Sequence, residues 1–97
     1  MLVHVVMMKF ADAGDAAKAK LRLEELADAV PDIRTLSCFL NELETGVSWH
    51  LLLRTTHLDT ADLKAYQAHP LHHEFGAWIR PLLTDRAVVD YTEAEVR

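Results

Sequence analysis

The chain has 97 residues, 51% apolar and 26% charged, with a formal net charge of −5. This describes one small folded domain spanning 1–97 and excludes a disordered chain. Ten Lys and Arg residues scattered through an acidic chain form no basic cluster, so no nucleic-acid partner is expected.

A domain of this size buries only somewhat over ~60% of its unfolded surface, so self-association would add useful burial. The single cysteine, Cys38, forms no internal disulfide and suggests a reducing compartment. No apolar run approaches the ~20 residues needed to cross a bilayer, so no membrane partner is expected. The start Met1-Leu2-Val3-His4 lacks the basic residues and cleavage site of a signal peptide, which makes a cytoplasmic location the expectation.

Residues 2–10 read as a strand rich in β-branched side chains, with His4, Val6, Met8 and Phe10 on one face and Val3, Val5 and Met7 on the other. Asp12, Gly14 and Asp15 supply a loop and a helix cap. Ala19, Leu23, Leu26 and Val30 recur at helical spacing within a predicted helix over 16–30, which Pro31 closes. A second strand is predicted over 33–43 and a third over 47–56, joined as a hairpin by the turn Glu44-Thr45-Gly46. Asp59 or Thr60 caps a second helix that holds Leu63 and Tyr66.

Pro70 cannot sit inside a helix but suits its first position, so His69-Pro70 reads as a corner between two helical segments. Leu71, Phe75, Trp78 and Leu82 then recur at helical spacing, and Pro81 implies an end or a kink near Arg80. Residues 87–91 form a last short strand, followed by a polar tail over 92–97.

The order β-α-β-β-α-β is the α+β, ferredoxin-like split pattern, a four-stranded antiparallel sheet with helices on one face. Strand one, Leu51-Leu52-Leu53 and Val88-Val89 are apolar on both faces, whereas a sheet with one wet face alternates. With no third layer in the chain to cover the second face, a homodimer through that sheet face is the simplest cover.

Chemistry concentrates at the corner. Tyr66 and His72 can each give or take a proton and flank His69-Pro70 from either side. The plain alternatives are a core tyrosine with its tip hydrogen-bonded and a histidine that only ties the fold together. His4, among apolar neighbours, reads more simply as a satisfied core histidine, and Cys38 as a buried strand thiol. His69 reads as a helix cap and His73 as a solvent-facing residue. Pro70 interrupts His69-x-x-His72-His73, and adjacent histidines diverge by about 100° on a helix, so no metal site is expected. No phosphate loop, GxSxG elbow or paired-carboxylate motif is present in the sequence.

His4, Asn41, Ala65-Tyr66-Gln67-Ala68-His69-Pro70-Leu71-His72 and Asp90-Tyr91 together resemble the stress-responsive A/B barrel (Dabb) family, over nearly the whole chain. Phe39 departs from the pattern, since many relatives carry glycine there. The resemblance implies a dimeric α+β barrel. In its plant olivetolic acid cyclase branch, a linear polyketide is closed by aldol condensation without a cofactor. By that resemblance Tyr66 and His72 match the acid/base positions, and Asp90 the carboxylate that hydrogen-bonds the catalytic histidine. His4, Val6, Met8 and Val88 match positions around the substrate pocket. The expectation is therefore a cofactor-free cyclase or isomerase acting on a carbonyl-bearing small-molecule ligand, polyketide-like or phenolic. The alternatives are a non-catalytic, stress-associated binding dimer, and a haem- or quinol-type monooxygenase of the same superfamily.

Overall fold

A computed structural model describes residues 1–94. The elements follow in the order β1 (Leu2–Phe10), α1 (Asp15–Ala29), β2 (Thr35–Leu40), β3 (Leu51–His57), α2 (Thr60–Ala68), α3 (Pro70–Ile79) and β4 (Leu83–Thr92), with a 3-10 turn at Arg80–Leu82. The four strands form one sheet in the order β2-β3-β1-β4, every neighbouring pair antiparallel. This is the ferredoxin-like α+β fold expected from the element order.

β1 is central, and its period-two pattern decides the layering. His4, Val6, Met8 and Phe10 face the helices and are buried, joined by Leu51 and Leu53 from β3. From α1, Ala16, Ala19, Leu23 and Leu26 form a stripe at helical spacing that closes over this sheet face. Phe75 and Ile79 of α3 complete the core. The opposite face carries Val3, Val5 and Met7, flanked through the register by Phe39 and Leu52 on one side and by Ala87, Val89 and Tyr91 on the other. Val3 at one end of this face is fully buried, but Phe39 is 59% exposed and Val89 61%, so much of the apolar sheet face has no cover among the described residues.

The element ends differ from the sequence expectation for local reasons. Gly14 takes the N-cap position of α1 while its N–H donates to the Asp12 carboxylate at 2.9 Å, and Asp15 opens the helix. Val30 already leaves the helix as its C-cap. β2 stops at Leu40 and β3 starts at Leu51, so the expected tight hairpin is a longer loop over 41–50. That loop is built from side-chain bonds: Asn41 Nδ2 and Ser48 Oγ both donate to the Leu43 carbonyl, and the Thr45 N–H donates to Ser48 Oγ. These polar residues satisfy the backbone locally and end the ladder early. β4 begins at Leu83, ahead of the expected 87, because its pairing with β1 runs on to Phe10.

A register shift between Lys9 and Phe10 frees the Phe10 N–H, which donates to His50 Nδ1 at 2.8 Å. Of the polar tail expected over 92–97, Thr92 still belongs to β4, and Glu93 binds Arg54 and the N-terminal amine. Residues 95–97 lie outside the described residues. No helix among the described residues is long and apolar enough to cross a membrane.

Candidate functional site

The corner forms as its proline requires. α2 starts at an Asp59 cap, whose carboxylate accepts the Asp62 N–H at 2.9 Å, and ends at Ala68. His69 adopts the extended conformation that a following proline imposes (φ −63°, ψ 136°), and its Nδ1 accepts the Leu71 N–H at 3.1 Å. It is thus the cap of α3, with Pro70 at the first helical position.

This turn delivers Tyr66 and His72 to one place. Their rings meet edge to face, 4.7 Å between centroids, while the other side of the Tyr66 ring stacks on His57 at 5.4 Å. Tyr66 is 2% exposed, and burial pushes its phenol up to about 12, with the Arg86 guanidinium pulling the other way. Its hydroxyl therefore keeps its proton at neutral pH and remains a donor. Burial also pushes the His72 imidazole below its ordinary value, helped by His73, Arg86 and His4 and opposed by the Gln67 backbone carbonyl. His72 is consequently held neutral, with a ring nitrogen able to accept a proton. His73 is exposed.

Asp90 corrects the expected pairing. Its carboxylate accepts from Nδ1 of His4 at 2.5 Å, and no Asp90–His72 hydrogen bond is present among the described residues. The cause is the strand register: β1 and β4 run antiparallel with His4 directly opposite Asp90, so both side chains stand on the helix-facing side of the sheet. His4 is then a buried histidine with a carboxylate behind it and its second nitrogen left over.

These groups share a cavity of about 200 Å³ between the helices and the inner sheet face. His4, Tyr66 and His72 are its polar wall, and Val6, Met8, Leu23, Leu53, Phe75, Ile79 and Leu83 are its apolar wall. No buried side-chain nitrogen or oxygen lacks a partner among the described residues. The free nitrogen of His4 and the Tyr66 hydroxyl, which have no protein partner there, therefore open onto the cavity.

Of the pocket positions implied by the resemblance, His4, Val6 and Met8 line this space. Val88 does not: it pairs with Val6 but stands on the open edge strand, 39% exposed, outside the lining. The sequence reading also missed Arg80, Arg86 and Gly76, which border the cavity. Arg86 was not legible, because only the register Met8↔Arg86 places it on the pocket side of β4. Neither was Arg80, since its position depends on how the 3-10 turn after α3 leaves the helix. Among the described residues, no three His, Cys, Asp or Glu side chains converge as metal ligands.

The fold and the cavity define a ferredoxin-like α+β domain that gathers two imidazoles and a phenol in an apolar cleft under its helices. The model of the stress responsive A/B barrel domain matches residues 2–93, and the chain belongs to that family. No curated protein matches it in sequence.

Among solved structures, it is similar to a dimeric ferredoxin-like protein of unknown function from Bacteroides fragilis, at 27% identity and TM-score 0.80, covering 93% of each chain. A dimeric ferredoxin-like protein of unknown function from Thermobifida fusca shares 21% identity and TM-score 0.83, over 95% of this chain and 90% of that one. The hydroxynitrile lyase from Passiflora edulis has the same fold at 14% identity and TM-score 0.82, over 99% of this chain and 95% of that one.

Proposed function

We propose that the cavity performs cofactor-free proton transfer on a carbonyl-bearing small molecule, as in an aldol-type cyclisation or an isomerisation. The observation that carries this is the meeting of His72, Tyr66 and His4, the last backed by Asp90, on one small cavity with mainly apolar walls. His72, neutral and without a carboxylate, takes a proton from the carbon next to the carbonyl. Tyr66, still protonated, donates a hydrogen bond to the carbonyl oxygen and stabilises the enolate that develops there. His4 is the second proton-handling group. Asp90 fixes its Nδ1–H tautomer, aims the other nitrogen into the cavity and balances the charge whenever the ring holds an extra proton. Apolar walls exclude water and strengthen these hydrogen bonds. The Passiflora edulis lyase supports the reading only in showing an enzyme on this fold.

The reading includes a homodimer. Sheet faces packed together cover the exposed Phe39, Val89 and Tyr91, and the Bacteroides fragilis and Thermobifida fusca proteins are themselves dimeric.

The test is solvent-deuterium exchange at the carbon next to the carbonyl, followed by NMR across a panel of small ketones, β-diketones and oxo acids. His72→Ala and Tyr66→Phe should each lower the exchange rate by a factor on the order of 100 while the dimer persists. Asp90→Asn should lower it less, since it acts through His4. Exchange that survives both His72→Ala and Tyr66→Phe would refute the assignment, as would a panel on which the protein shows no exchange at all.

A further inference from the structure

The arginines among the described residues divide into two groups. Arg34 pairs with Asp62 at 3.2 Å, Arg54 with Glu93 at 2.9 Å, and Arg22 lies over the Trp78 ring at 4.1 Å. Among the described residues, only Arg80 and Arg86 have neither an ion pair nor an aromatic partner. Both border the same cavity.

They reach it from different elements. Arg86 stands on β4 opposite Met8, on the helix-facing side of the sheet. Arg80 follows α3, and its guanidinium lies back against the bare backbone at Gly76, where a methyl group would sit 3.7 Å from Nη1. In a chain of net charge −5, the cavity mouth is thus a local concentration of uncompensated positive charge. An inward-pointing charge that protects an edge strand from aggregation would account for Arg86 on β4 but not for Arg80 beside a helix.

We propose that the cavity takes a small organic carboxylate, with the anionic group held at the mouth by Arg80 and Arg86 and the apolar body lodged against Val6, Met8, Leu53, Phe75 and Ile79. This names the substrate class of the proton-transfer reading and rests on the same cavity. A guanidinium is a planar fork that matches a carboxylate with two parallel hydrogen bonds, and two forks bordering one cavity orient the ligand as well as attract it. Beyond the headgroup the lining is apolar apart from His4, Tyr66 and His72 and holds no further arginine or lysine, which suits a single-headed acid and not a polyanion. A space of about 200 Å³ lies below the range of drug-sized pockets, so the body is a short chain or a single ring. With the carboxylate at the mouth, the body of the acid shares the cavity with Tyr66 and His72. The Arg86 charge already acts on both, favouring the neutral form of His72.

The experiment is isothermal titration of the full chain with 3-phenylpropanoate, with its neutral amide and with inorganic phosphate, at low and high salt. The acid should bind on the order of tenfold more tightly than the amide, an advantage that high salt erodes because both arginines are exposed. Arg80→Gln/Arg86→Gln should abolish the preference for the acid and leave amide binding and the unfolding midpoint in place. The Arg→Lys double variant should keep part of the preference. Equal binding of acid and amide, phosphate competing as well as the acid, no binding of the acid, or a preference that survives the Gln variant would each overturn the proposal.

The two readings separate cleanly. A carboxylate preference retained in His72→Ala, in a protein that exchanges no carbonyl compound, supports this binding site and sinks the catalytic reading. Exchange of carbonyl compounds by a protein that binds the acid and its amide equally does the reverse.

Discussion

Lowering the pH from about 7.5 to about 5.5 should weaken folding, because the fold holds two imidazoles in the neutral form. His57 is 0% exposed, donates from Nδ1 to the Asp32 carbonyl at 2.8 Å, and accepts at Nε2 from the Thr55 hydroxyl, 2.9 Å away. Both nitrogens are therefore in use with a single proton on the ring. Burial pushes the His57 imidazole below its ordinary 6.5, opposed by the Asp32 carbonyl and reinforced by His4. His72 is lowered in the same direction, again chiefly by burial.

For both groups the unfolded chain binds the proton more readily than the folded one. The stability they contribute is complete above the unfolded value near 6.5 and is lost as pH falls from there toward the lowered folded values. Within that window each imidazole contributes a slope of up to about 1.4 kcal/mol per pH unit, and the two together up to about 2.8. His57→Gln keeps a donor for the Asp32 carbonyl but cannot titrate. It should cost about 1–3 kcal/mol at neutral pH and roughly halve the slope. The assay is urea unfolding followed by fluorescence of Trp49 and Trp78, at one protomer concentration across the pH series. A stability that stays flat below 6.5, or a His57→Gln variant that keeps the full slope, would refute the reasoning.

Leu23 is 0% exposed and lies between the core and the cavity floor, so Leu23→Ala should destabilise by about 2–5 kcal/mol in urea unfolding, less if the site collapses. Cys38 is buried, and burial with a contribution from Glu24 pushes its thiol up to about 11. Ellman's reagent at neutral pH should therefore find it unreactive in the native protein and reactive at once in denaturant. Phe39→Glu places a charge on the uncovered sheet face and should shift the proposed dimer to monomer in light scattering after size exclusion, with the cavity residues untouched.

Much of this protein was legible in its sequence, because the deciding signals are short-ranged. The period-two alternation of β1, the stripe Ala19, Leu23 and Leu26, and the proline at the His69-Pro70 corner each act within a turn or a few residues of the backbone, and they gave the element order and the ferredoxin-like fold. The same alternation showed that the sheet has two apolar faces. Tyr66 and His72 were legible for the same reason, since the corner that joins them spans only a few residues.

What lay beyond reach was set by contacts between distant segments. Whether Asp90 serves His72 or His4 depends on the register of β4 against β1, and a slip of one residue would turn its side chain to the other face. Val88 stands on the edge strand, 39% exposed and outside the cavity lining, which no residue near it encodes. Arg80 and Arg86 look like ordinary surface charges in the sequence. They come together only because a 3-10 turn ends α3 beside the strand that closes the sheet, so the tertiary structure alone decides that the positive charge gathers at the mouth of the cavity.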